Sequence, residues 1–226
     1  MEHAPRTLTQ HARVPLLLLA VFGLVAAATL WAPPAGRTSW LLEVGPGLVG
    51  VAVLVAVYRR FPMSLMVYGL VFAHVLILVY GGYYTYALTP LGNWGRDTFH
   101  LARNHYDRVG HFALGAFPAF TIREVLLRRT PLVRGGWLNF LVLSVVLAIA
   151  AFWELIEWWT TLLAAPEVGT AFLGTQGDPW DTQWDMLWAL IGAAVALSLF
   201  SRAHDRSMTR VPAIVPPGTA RDTPPG

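Results

Sequence analysis

Apolar runs long enough to cross a bilayer recur along this chain, and short polar stretches separate them. At about 20 apolar residues per crossing, six segments qualify: about 14–31, closing at Pro33-Pro34; about 40–58, interrupted early by Glu43 and Pro46; about 63–86; about 107–127; about 137–163; and about 182–200. The expected fold is all-α, a polytopic membrane protein built as a bundle of six transmembrane helices. Residues 1–13 read as a cytoplasmic N-terminal segment and 14–201 as the transmembrane domain. Residues 202–226, rich in Pro, Thr and Arg, read as a disordered cytoplasmic tail. The first span has the basic start and alanine-rich end of a signal peptide. Its apolar run is long for one, however, and Leu-Trp-Ala before Pro33 is a poor cleavage site.

Arginines fix the expected orientation, because cytoplasmic loops carry the excess of basic residues. Arg6 and Arg13, Arg59 and Arg60, Arg128, Arg129 and Arg134, then Arg202, Arg206 and Arg210 fall on alternate connections, which places both termini in the cytoplasm. The loop from Ala87 to Arg108 departs from this rule by carrying Arg96, Arg103 and Arg108 on the outer side. Its Phe99, Leu101 and Tyr106 suit a short helix lying at the interface.

Composition agrees with the membrane class: 55% of the 226 residues are hydrophobic and 13% charged, with ten Trp and a mean hydropathy of +0.51. The chain has no Cys, which excludes disulfides, thiolate metal sites and iron–sulfur clusters and leaves oxygen and imidazole as metal ligands. Its basic excess is entirely Arg and sits at span ends, not in one stripe, so nucleic acid is not an expected partner; the bilayer is.

Against this apolar background the ionisable residues near the C-terminal half stand out: Asp107, His111, Glu154, Glu157, Asp178, Asp181 and Asp185. A charged side chain deep in a bilayer costs roughly 3 kcal/mol or more, so such residues are functional candidates by default. Asp107 and His111 (i, i+4), Glu154 and Glu157 (i, i+3), and Asp181 and Asp185 (i, i+4) each share a helix face. The expected topology brings all three pairs to one depth, in a polar cavity facing outward with Gln176 and Asp178 in the loop above it. Asp181, Asp185, Ala189 and Gly192 form a stripe whose small residues admit a neighbouring helix. Trp180, Trp184 and Trp188, with Trp153, Trp158 and Trp159, read as an aromatic belt. Plainer roles exist: Asp107 and Asp181 suit helix N-termini, His111 and His74 suit packing, and Arg123 and Glu124, at the opposite, cytoplasmic end of the fourth span, suit an anchoring or ion-pair role. Two carboxylates one turn apart in low dielectric, such as Glu154 and Glu157, require a cation, an Arg or a proton between them. Arg108 is the nearest basic residue and can neutralise one of them or hold an anionic head group.

The segments YDRVGHF, REVLLR, WELIEWW and LGTQGDPWDTQWDM resemble the YjdF-like inner-membrane family over about Arg59 to Arg202. That resemblance implies a multi-pass protein of the cell inner membrane and brings no reaction with it. More distantly, Asp-x-x-x-His at a helix start and the Asp-x-x-x-small-x-x-Gly helix resemble VanZ-like proteins, which carry Asn where this chain has Ala189.

Three expectations follow. The first is a metal-dependent site for lipid-linked or cell-envelope chemistry, in which Asp107, His111, Glu154, Glu157, Asp181 and Asp185 hold a divalent cation, Asp107, His111, Glu154 and Glu157 are the catalytic candidates, and Arg108, Gln176 and Asp178 contact a head group or gate the site. The second is a small proton- or cation-coupled transporter. The third is a non-catalytic envelope component. No phosphate-binding Gly loop, nucleophile elbow or HExxH is present.

Overall fold

The computed structural model describes residues 7–163, 169 and 173–212. In chain order the helices are α1 (Leu8–Trp31), α2 (Arg37–Val57), α3 (Leu65–Tyr84), α4 (Pro90–Phe99), α5 (Tyr106–Ala116), α6 (Pro118–Arg129), α7 (Gly136–Leu163) and α8 (Asp181–Met208), with a single 3-10 turn at Tyr86–Leu88. No strand occurs among the described residues. Helices α1, α2, α3, α7 and α8 are each long and apolar enough to cross a membrane.

Local chemistry accounts for most boundaries. Thr7 and Gln10 form a capping box that starts α1. Ser64 caps α3 by accepting from the Val67 N–H, and α2 runs unbroken through Glu43 and Pro46. A short helix, α4, does fall in the loop where one was expected, although of Phe99, Leu101 and Tyr106 it includes only Phe99, and Tyr106 is buried in α5. Helix α4 opens on Pro90, stops where His100 turns left-handed (φ 52°) and leaves Leu91, Trp94 and Phe99 exposed.

The fourth expected span is two short helices. Pro118 has no N–H for the Leu114 carbonyl, and its ring clashes with the preceding turn, so α5 ends and a new helix starts with Pro118 in its first turn. Five helices long and apolar enough to cross, and one broken pair, therefore stand where six continuous spans were expected. The last helix also exceeds its expected length: it continues to Met208, through residues read as the start of a disordered tail, because His204 and Asp205 are paired with α6.

Helix α3 is the hub, packing on α1, α2, α5, α6 and α8. One apolar cluster joins Phe22, Trp40, Val44, Val75 and Val79 of α1, α2 and α3. A larger one joins α3, α6, α7 and α8 through Val67, Phe120, Val142, Val146, Ala189 and Ala193. The tightest crossing is α5 on α8. A Cβ on Gly115 would overlap the Ala189 carbonyl, and one on Gly192 would overlap the carbonyl of Phe112. Only glycine allows these backbones to touch.

Candidate functional site

The α5–α8 crossing is what assembles the acidic residues. Asp181 and Asp185 are buried on the same side of α8 as Ala189 and Gly192, and α5 lays Asp107, Arg108 and His111 against them. His111 Nε2 stands 3.6 Å from Asp107 Oδ1, 3.7 Å from Asp185 Oδ1 and 3.8 Å from Glu154 Oε1 of α7. One ligand atom each from Asp107, His111 and Asp185 lie within 4.8 Å of one another. Among the described residues His111 Nδ1 and Glu154 Oε1 have no hydrogen-bond partner although both are buried.

Two arginines form a layer beside this cluster. Arg108 donates to Asp185 at 2.5 Å, to Asp181 at 2.6 Å and to Asp178 at 3.3 Å, and lies 3.7 Å from Asp107. Arg103 donates to Asp181 at 2.7 Å and to the Thr175 carbonyl at 2.8 Å, with Asp178 at 3.5 Å. Both guanidiniums are buried. They answer Asp178, Asp181 and Asp185 at hydrogen-bond distance and Asp107 at longer range, and among the described residues no Arg pairs with Glu154 or Glu157.

Loops on either side are clasped together. The Asn104 N–H donates to Gln176 Oε1 at 3.1 Å, and Gln176 Nε2 donates to the Asn104 carbonyl at 2.8 Å. Asn104 is fully buried; its Nδ2 bonds the Thr89 carbonyl and Asn93, and its Oδ1 accepts from the Tyr106 N–H that opens α5. This loop also carries His105, whose imidazole is held below its ordinary 6.5 first by burial and then by Arg103 and Arg108. Tyr86 nearby is pushed well above 10, chiefly by burial, and remains a phenol.

Glu157 does not meet the His111 cluster directly. It lines a cavity of about 400 Å³ between α2, α3, α5, α6 and α7, together with Glu43, Asp107, His111 and Tyr86 at one end and apolar side chains elsewhere. Along its side Pro46, Gly50 and Val53 on α2 and Ile149 on α7 are exposed, and the half-buried Leu173 and Gly174 of the loop before α8 line it as well.

Sequence reasoning singled out neither Arg103 nor Asn104 for the site, and it read Glu43 only as an interruption of the second span. A signal for Arg103 existed, since three arginines on an expected outer loop break the usual charge bias. At the opposite end Arg123 and Glu124 each enter ion pairs, with other residues and not with one another. Glu124 accepts from the Ser64 N–H (2.9 Å), Arg128 (2.6 Å) and His204 Nε2 (3.1 Å). Arg123 reaches His204 Nδ1 and Asp205, both at 2.8 Å. Because Arg123 can only donate, His204 Nδ1 accepts and the ring proton sits on Nε2, toward Glu124. Arg134 pairs with Asp205 as well, so this end of the bundle is arginine-rich and internally cross-linked.

The family described as "Predicted membrane protein (DUF2238)" matches residues 14–206. The protein described as "Inner membrane protein YjdF" of Escherichia coli (strain K12) is 44% identical over 174 residues, which cover 77% of this chain and 83% of that protein. No solved structure matches the chain.

Proposed function

The chain belongs to the DUF2238 family of predicted membrane proteins, and from that premise we propose that it is an inner-membrane protein whose Asp107, His111 and Asp185 hold a divalent cation. The arginine-rich end faces the cytoplasm in this reading, which puts the acidic end at the outer face, and the cation serves chemistry on lipid-linked or other cell-envelope substrates.

The observation that carries the reading is the convergence of three ligand atoms within 4.8 Å. Bonds of about 2.1 Å to a tetrahedral zinc set ligand atoms about 3.4 Å apart, and His111 Nε2 lies 3.6 to 3.7 Å from the two aspartates. The unpartnered Glu154 oxygen, 3.8 Å from the same nitrogen, occupies the edge of that shell. Imidazole with carboxylates suits Zn²⁺ or Mn²⁺. Bound there, the cation would supply Lewis-acid polarisation of a phosphate or an activated water, while Arg108 and Arg103 hold the α8 carboxylates in place and Glu157 stands by as a proton acceptor in the adjoining cavity.

Thermal unfolding of the purified protein with and without Mn²⁺ or Zn²⁺ tests this. A ligand at 100 times its Kd stabilises by about 2.7 kcal/mol, and Asp107→Asn and His111→Gln remove that gain while Gly23→Leu on α1 keeps it. No stabilisation of the parent by either metal sinks the reading. The second reading, a cation- or proton-coupled transporter, is favoured by one observation: α5 and α6 break in mid-course at Pro118, as discontinuous helices do around transport sites. Proton-driven flux in proteoliposomes that Glu157→Gln abolishes would decide for it.

A further inference from the structure

Buried side chains cover the arginine side of the acidic cluster. Arg103, Asn104, Arg108 and Asp181 are each at most 8% exposed, and the Asn104–Gln176 clasp ties the two covering loops together. The cavity reaches Leu173 and Gly174 of the loop before α8 and also opens toward the side, between Gly50 and Val53 of α2 and Ile149 of α7, in the middle of helices long enough to span. We propose that the substrate is a phosphate-headed lipid that arrives sideways from the bilayer: its apolar chain lies in the cleft between α2 and α7, and its phosphate is held through the cation on Asp107, His111 and Asp185. This inference rests on the cation reading above.

Three features commit the cleft to such an occupant. Its carboxylates and His111 gather at one end, at Glu43, Asp107, His111 and Glu157, and the rest is largely apolar, with His74 and Thr121 the polar side chains farther along, which matches a molecule with one charged end. No Arg lines it among the described residues, so its polar end offers an anionic head group three carboxylates and no fixed positive charge unless a cation lies between. From Glu43 to Leu54 the cleft follows eleven residues of α2, about 16 Å at about 1.5 Å each, or half of a hydrocarbon core of about 30 Å. A chain seated there reaches through one leaflet. The volume of about 400 Å³ falls in the range of ligand pockets.

The test uses the full chain in nanodiscs and, as probe, lysophosphatidic acid carrying a diazirine on its acyl chain, photolysed with Mn²⁺ present or chelated. Mn²⁺ binding is measured separately by electron paramagnetic resonance. Gly50→Leu fills the cleft: a Cβ at Gly50 meets nothing within 4 Å, and Leu is the better helix former, so the fold is retained. Gly23 is equally open and lies on α1, away from the cleft, so Gly23→Leu is the control. The expected result is labelling of α2 and α7 that requires Mn²⁺ and drops about tenfold in Gly50→Leu, with Mn²⁺ binding unchanged in both variants. A parent protein that binds no Mn²⁺ sinks the cation reading. Mn²⁺ binding with labelling indifferent to Gly50→Leu overturns the cleft alone, and cleft labelling equally strong without Mn²⁺ overturns the metal-held phosphate.

Discussion

Replacing Arg108 with Met keeps most of the side chain's apolar length and removes its charge. The guanidinium is 6% exposed and touches Asp185 at 2.5 Å, Asp181 at 2.6 Å and Asp178 at 3.3 Å. Arg103 also reaches Asp181 and Asp178, so the carboxylate stranded by the change is Asp185. Removing one partner of a buried ion pair costs about 3–5 kcal/mol, because the other charge is left uncompensated. At about 2–4 °C per kcal/mol for a chain of this size, the melting midpoint falls by roughly 6–20 °C. Tryptophan fluorescence during heating in detergent micelles reads this directly. Adding Asp185→Asn to Arg108→Met restores most of the loss, whereas adding Asp178→Asn restores little, since Asp178 keeps Arg103 and is 24% exposed. A midpoint within about 2 °C of the parent, or equal rescue by the two partners, refutes the charge account of this site.

Gly192→Ala forces a Cβ into the Phe112 carbonyl, which no rotamer can relieve; overpacking of this kind costs about 1–3 kcal/mol, and a matching fall in melting midpoint is expected there and not in Gly23→Ala. His105 titrates below 6.5 in the folded protein. A base whose folded pKa is depressed gives stability that is complete above its unfolded value and is lost as pH falls below it, so His105→Gln flattens the decline of the midpoint between about pH 7 and pH 5. Reporters active only in the cytoplasm or only outside it, fused after Arg210 and after Gly177, are expected to light up on opposite sides; the same side for both ends the proposed orientation.

Much of this was legible from the chain. Long apolar runs mark the continuous spans because length and hydropathy are local properties. The acidic pairs were visible as well, since i, i+4 spacing fixes which residues of one helix face together, and the small stripe on α8 said where a neighbour would press. What escaped depended on partners distant in sequence. Pro118 sat inside an apolar window, and hydropathy does not register a missing N–H. His204 lay in the polar stretch after Phe200, where apolar length gives out. The helix continues because Arg123 and Glu124, about eighty residues earlier, bond its ring. Arg103 and Asn104 sit in a non-periodic loop, and only the fold shows that one meets Asp181 and the other Gln176. Glu43 needed the same kind of information: nothing on α2 says that the cavity between α2 and α7 runs past it.

The broken pair α5–α6 has a consequence for how the protein is made. It carries Asp107, Arg108, His111, Arg123 and Glu124 within a length that would cross once, and each Asp or Arg at a helix centre opposes insertion by about 2.5–3.5 kcal/mol. Such a segment does not leave the translocon for lipid unaided. Arg108 finds Asp181 and Asp185, and Arg123 finds Asp205, on α8, more than seventy residues downstream of Arg108, whereas Glu124 pairs with Arg128 inside α6. Both arginines are therefore compensated only once the last helix has been synthesised, and the acidic site is complete only then.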